Sequence, residues 1–210
     1  MPHLLHVDSS ADLSGSRSRA ITATFAEAWA GRGPAFTRTH RDLHRDQLPH
    51  FPDPELHWPV ADRRPDANPP ADAAALQKDL LDELLAADAV LVGAPLYNYS
   101  LPSTLKAWVD NIHIPGVTTG PGTQPPAGRP AVVVSSRGAG YDAGTPTEGW
   151  DHGVPVLQII LGAALGMDVH LVQTSLTLAH RVPELADHRD RADAELAAAH
   201  RAAAHLATTL

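Results

Sequence analysis

The sequence predicts an α/β fold in which five parallel strands form a sheet covered on both faces by helices. Apolar runs of strand length alternate with segments of helical spacing from end to end, which is the pattern of repeated βαβ units. Four of the five runs are rich in Val, Leu and Ala without polar alternation, as strands buried on both faces must be. Polar and aromatic loops follow those strands, where doubly wound sheets bind ligands.

The first strand is read at 3–7. Ile21, Phe25, Ala28 and Trp29 then give one apolar helical face,. The second strand, 35–41, is weaker and more polar. A helix carrying Leu76, Leu80 and Leu84, with Leu81 and Leu85 beside them, leads into the third strand at 89–94. Pro102 opens the next helix, since its fixed φ suits a first helical turn. The fourth and fifth strands are read at 131–135 and 168–173. A last stripe, Leu185, Ala192, Leu196, Ala199, Ala203 and Leu206, reads as core packing. Residues 50–70 and 114–130 are irregular, and the first of these reads as a surface excursion or a lid. At 210 residues the chain suits one domain spanning 1–210,.

Composition removes several classes of function. The formal charge is −8 and only Lys78 and Lys106 supply lysine, so no basic face is available for nucleic acid. With no cysteine, disulfides, thiolate catalysis and Cys-ligated metals are excluded. The amino terminus lacks the basic start and long apolar run of a secretory signal, and no stretch reaches the roughly 18–20 apolar residues of a membrane span. A soluble, cytoplasmic protein without a membrane partner is expected. The thirteen histidines include the pairs His3/His6, His40/His44 and His200/His205, which share no ligand spacing, so no metal site is predicted.

The loops carry the chemistry. After the third strand, Pro95-Leu96-Tyr97-Asn98-Tyr99 offers backbone N–H groups, an amide and two flat faces. Such a surface suits a planar, hydrogen-bonding ring better than a phosphate or a metal, and a flavin leads; the other reading is a turn with tyrosine lids. After the first strand, Asp8-Ser9-Ser10 and Ser14-Gly15-Ser16-Arg17-Ser18 run into a helix. Small hydroxyls at a helix N-terminus cradle a phosphate, and Arg17 adds charge; Ser16 or Ser18 also reads as a simple N-cap. No P-loop is present, so a monophosphate fits best. After the fourth strand, Gly138 and Gly140 let backbone approach a ligand, and Tyr141 is a proton donor, a stacking partner or a half-buried loop aromatic. Asp151-His152 reads as a helix start, with no hydrolase elbow nearby.

Together these blocks resemble the FMN-dependent NADH-azoreductases, which are NAD(P)H:quinone oxidoreductases of flavodoxin-like fold. The likeness rests on the early Ser-Ser and Ser-x-Ser, on Pro95 to Tyr99, on the Pro-Ser-Thr-Leu-Lys-Ala-Trp run at 102–108, on Ser-Arg-Gly at 136–138 and on Leu-Gly-x-x-x-Gly at 161–166. It implies a three-layer sandwich with strand order 2-1-3-4-5, bound FMN, NADH or NADPH as donor, and a homodimer. Ser10, Ser16, Arg17 and Ser18 would hold the phosphate. Pro95, Leu96, Tyr97, Asn98 and Tyr99 would flank the ring, and Ser136, Arg137, Gly138 and Ala139 would line its pyrimidine side. Asn98 and Tyr141 are the candidate catalytic residues. The implied reaction is a ping-pong, two-electron reduction of quinones, with azo compounds or a bulky polycyclic metabolite as further acceptors. Where the family commonly has Gly-x-Thr-Phe-x-Tyr, residues 116–121 keep Thr118 but carry Thr119 and Pro121 in place of the two aromatics, and Ala163 stands where another aromatic is usual. This predicts a roomier substrate pocket lined by Thr118, Thr119 and Ala163. The alternative class is a flavodoxin-like electron carrier that serves a protein partner.

Overall fold

The computed structural model describes residues 1–120 and 122–210, so Pro121 lies outside the described residues. Strands β1 (His3–Asp8), β2 (Thr37–Asp42), β3 (Ala89–Pro95), β4 (Pro130–Ser136) and β5 (Asp168–Thr174) form one sheet in the order β2-β1-β3-β4-β5. Every pairing is parallel, as expected for strands joined by helical crossovers. The polar β2 is an edge strand whose residues are mostly half-exposed, which is why its signal was weak. It also starts two residues later than its apolar lead-in suggests, because Phe36 packs edge-on against Trp29 instead of joining the sheet.

Period-2 alternation sorts the side chains between two helical layers. Leu4, Leu91, Val132 and Val134 face α1 (Arg17–Ala30) and α5 (Arg189–Thr209), which add Ile21, Phe25, Trp29, Ala199 and Ala203. Leu5, Val7, Val90, Val92 and Val133 face the other way. There α2 (Ala71–Ala86), α3 (Ser103–Ile112) and α4 (Gly153–Leu157) contribute Leu80, Leu84, Trp108 and Leu157. The final stripe is core as expected, although its first member, Leu185, sits in the 3₁₀ turn Pro183–His188 ahead of α5.

The Asp151-His152 pair does start a helix. Asp151 Oδ1 accepts from the backbone N–H groups of Gly153 (3.0 Å) and Val154 (3.1 Å), and α4 continues as a π-helical turn over Gln158–Ala164. Residues 50–70 form an excursion anchored at Glu55 and Leu56. Leu56 is fully buried, its carbonyl takes a 2.8 Å bond from Gln77, and the buried Glu55 carboxylate receives the Arg64 amide and guanidinium at 2.9 and 2.6 Å. Among the described residues, no helix is long and apolar enough to cross a membrane.

Candidate active site

Parallel strands bring their carboxyl ends to one edge, so the loops after β1, β3, β4 and β5 meet there. They enclose a cleft of about 500 Å³ lined by Ser10, Ser16, Arg17, Pro95, Leu96, Tyr97, Ser136 and Gly138 from the sequence-predicted set. Asp12, Gly15, Thr177, Leu178, His180 and Arg181 complete the lining.

The loop after β1 is built on the start of α1. Asp12 Oδ1 accepts from the N–H groups of Ser14 (3.0 Å) and Gly15 (2.8 Å), folding the loop into a tight turn,; those amides, Gly15 first, hold the Asp12 carboxyl below its ordinary range. Ser16 is the N-cap, its Oγ accepting from Arg19 N–H at 3.2 Å. Ser18 does not reach the cleft. It is fully buried, with its hydroxyl 3.1 Å from that of Ser16, so it supports the cap. Both readings of the Ser-x-Ser motif thus have a place, divided between capping and lining. Arg19 locks the loop from beneath, donating to the Ser10 carbonyl (2.6 and 3.0 Å) and to both oxygens of Asp42 (2.7 Å each).

The loop after β3 is a two-residue hairpin. Tyr97 and Ser100 exchange backbone bonds of 3.0 Å each, while Asn98 (φ 46°) and Tyr99 (φ 67°) are both left-handed, the conformation that such turns require. Asparagine tolerates it; tyrosine does so at a cost in strain. The turn aims Tyr97 inward and leaves Asn98 and Tyr99 exposed outside the cleft lining. The Tyr97 hydroxyl accepts from Ala11 N–H at 3.1 Å and lies 3.2 Å from Ser10 Oγ, so this residue ties two loops together. Tyr99 stacks edge-on with Trp150, centroids 5.3 Å apart.

In the loop after β4, Ser136 and Gly138 line the cleft but Arg137, Ala139 and Tyr141 do not. The Arg137 guanidinium donates to Ser175 Oγ (2.6 and 3.2 Å) and lies 3.5 Å from Asp151 Oδ2. It ties the two ends of the loop between β4 and α4 to the loop after β5, with Tyr141 beneath it at 5.6 Å. Burial, then Tyr99 and Asp151, raise the Tyr141 phenol above its ordinary value. Gly138 makes room for a side chain, since a Cβ there would stand 2.9 Å from Leu178 Cδ1.

The predicted substrate residues lie elsewhere in the chain. Thr118 is fully buried and its hydroxyl serves the Ile112 carbonyl (2.5 Å) and the Ile114 amide (3.0 Å); it fastens its own turn. Thr119 is buried beside it. Ala163 is exposed at the opposite, amino-terminal edge of the sheet, near Gln124. None of the three lines the cleft, so within one chain they do not set its size.

The cleft therefore joins a helix N-terminus, with Arg17, His180 and Arg181 against Asp12, to an apolar and aromatic wall. The first suits an anion and the second a flat ring.

The profile of the family described as having a flavodoxin-like fold matches residues 2–205. A protein of Kineococcus radiotolerans named FMN-dependent NADH:quinone oxidoreductase is 69% identical over 210 residues, covering 100% of both chains. The chain belongs to this flavodoxin-like family. A protein of the same name from Frankia alni is 41% identical over 223 residues, covering 97% of this chain and 100% of that one. In fold, the family likeness extends to the crystal structure of an azoreductase from Bacillus anthracis str. Sterne, with a TM-score of 0.80 and 21% identity over 100% of each chain.

Sequence reasoning missed the wall contributed by the loop after β5. Because β5 is hydrogen-bonded to β4, its carboxyl end had to reach the same rim. The His180-Arg181 pair, soon after the strand, was the available signal.

Proposed function

We propose that the protein is an FMN-dependent NADH:quinone oxidoreductase that passes two electrons from a nicotinamide to a quinone, with azo compounds as a second acceptor class. One observation carries this reading: a single cleft joins a capped helix N-terminus bearing Arg17 to the Pro95–Tyr97 wall. Its volume of about 500 Å³ falls in the roughly 300–1,000 Å³ range of cofactor pockets. The hydroxyls, cations and flat apolar surface fit a phosphate joined to a planar ring, so the residues suit FMN. When bound, FMN supplies the two-electron redox chemistry.

The protein's part is placement and electrostatics. Ser10, Ser16 and Arg17 bind the phosphate at the α1 terminus, with Arg181 adding charge from across the cleft. Pro95, Leu96 and Tyr97 bound the ring, and Ser136 with Gly138 lines its far side. Arg137, Ala139 and Ser18 act by bracing these loops. No residue in the cleft needs to be a strong base, because two-electron transfer needs apposition and desolvation above all. Asn98, Tyr99 and Tyr141 stand at the exposed rim, where a second copy of the chain closes the site in a homodimer. A cytoplasmic location matches an NADH donor. The kinship gives no support to the electron-carrier alternative.

Anaerobic stopped-flow mixing of the FMN-loaded protein with NADH tests the reading. The flavin band should bleach without any other protein and return when a quinone is added. Failure to bleach overturns it. Sedimentation equilibrium tests the dimer independently.

A further inference from the structure

Parallel pairing of β1 with β2 places His6 directly opposite His40. Two residues along β1, Asp8 points to the same face, under α1. His40 Nε2 lies 3.1 Å and His6 Nε2 3.2 Å from the same atom, Asp8 Oδ2, and all three ligand atoms fall within 4.8 Å of one another. His6 and Asp8 are almost wholly buried, whereas the His40 side chain is 36% exposed. None of the three lines the cleft, and the proposed redox chemistry uses none of them.

We propose that His6, Asp8 and His40 bind a divalent transition-metal ion of the zinc type. Zinc with ligand bonds of about 2.0–2.1 Å places the corners of its tetrahedron roughly 3.3 Å apart, close to the two separations seen here. Two imidazoles and one carboxylate are a usual set for such an ion, with the fourth position left to water. That position opens toward solvent on the His40 side. Nδ1 of His6 is buried without a hydrogen-bond partner and Nε2 faces the Asp8 carboxylate at 3.2 Å, in a site already shaped by the sheet.

The surroundings hold the carboxylate in place. Asp8 Oδ1 accepts the Thr22 hydroxyl at 2.9 Å, a contact that orients the carboxylate as outer ligand shells do. The neighbouring charges are Arg19, 3.8 Å from Asp8 Oδ2, Asp42, which binds Arg19 through both oxygens, and Arg45, 3.3 Å from Asp42 Oδ2. Arg19 and Arg45 balance Asp8 and Asp42, so the converging ligand atoms, and not a net negative field, would hold the ion. The imidazoles stack at 4.2 Å with a 24° tilt, and the exposed His40 ring is the one free to turn toward a shared ion.

The test uses the FMN-loaded full chain, freed of metal by chelator and titrated with zinc chloride. After gel filtration, mass spectrometry should find one zinc per chain. His40→Ala should lose it, while His205→Ala, on the exposed face of α5, should keep it. His40→Ala is also expected to retain its flavin spectrum and NADH-driven quinone reduction, which separates this proposal from the proposed function. At 100 times the dissociation constant, zinc should raise the Tm of the unmodified protein and leave that of His40→Ala unmoved. No stoichiometric zinc, or equal binding by His40→Ala, overturns the proposal. So does a zinc anomalous-scattering peak away from these three side chains.

Discussion

A single methyl group added at Gly93 probes how β1, β3 and the first loop are coupled. A Cβ built there stands 2.6 Å from Asp8 Oδ1, 3.3 Å from Thr22 Cγ2 and 3.7 Å from the Val7 carbonyl oxygen. The carboxylate cannot simply swing away. Asp8 is 4% exposed, its Oδ1 holds the Thr22 hydroxyl at 2.9 Å and its Oδ2 the His40 imidazole at 3.1 Å. Overpacking of this kind costs about 1–3 kcal/mol, and losing the Thr22 bond adds about 1 kcal/mol. Gly93→Ala should therefore destabilise the chain by roughly 2–4 kcal/mol. For a protein of this size that is a fall in Tm of roughly 5–15 °C. Because the Gly93 carbonyl accepts the Ser9 hydroxyl at 2.6 Å, the displacement passes into the loop that carries Ser10, and FMN affinity should fall with it. Thermal melts of the FMN-free protein, with FMN titration by fluorescence quenching, give both readouts. In an Asp8→Ala background the same methyl meets no carboxylate, so its cost should shrink, a non-additivity expected of touching residues. A Gly93→Ala protein that melts within about 2 °C of the unmodified chain, well below the shift expected for this loss, would refute the reasoning.

Tyr97→Phe removes the bonds to Ser10 and Ala11, together worth about 1–2 kcal/mol; the FMN dissociation constant should rise by roughly five- to thirty-fold while NADH still bleaches the flavin that binds. Ser16→Ala deletes the α1 cap, so unfolding in urea should show a loss of about 1 kcal/mol, and FMN binding should weaken as well. For Tyr141, burial and its neighbours raise the phenol above its ordinary value. The folded state thus keeps this proton to higher pH than the unfolded state, so the stabilising contribution is complete below the unfolded value near pH 10 and is lost as pH rises through the folded one. Near-ultraviolet titration should find one late-ionising tyrosine that disappears in Tyr141→Phe.

Much of the fold was legible because its signals are local. Buried parallel strands read as unbroken apolar runs, and β3, with all seven residues buried, is the clearest. The faintest strand was β2, the edge strand, whose outward side chains were free to be polar. The phosphate end of the cleft was legible for the same reason, since Ser16 and Arg17 sit at a helix start that can be read from the helix itself. By contrast, Ser18, Thr118 and Ala163 lie outside the lining of the cleft within one chain. Residue type does not say whether a side chain points to ligand, core or the far edge of a sheet.

The amino-acid order by itself determined the strands, the helices and the hydroxyl-rich and aromatic loops, because each depends on neighbours a few residues away. Only the tertiary structure decided that Leu178, His180 and Arg181 form a wall of the cleft, that Arg137 braces loops, and that His6, Asp8 and His40 meet. Those contacts join residues up to about 170 positions apart, and strand order and pairing register fix them.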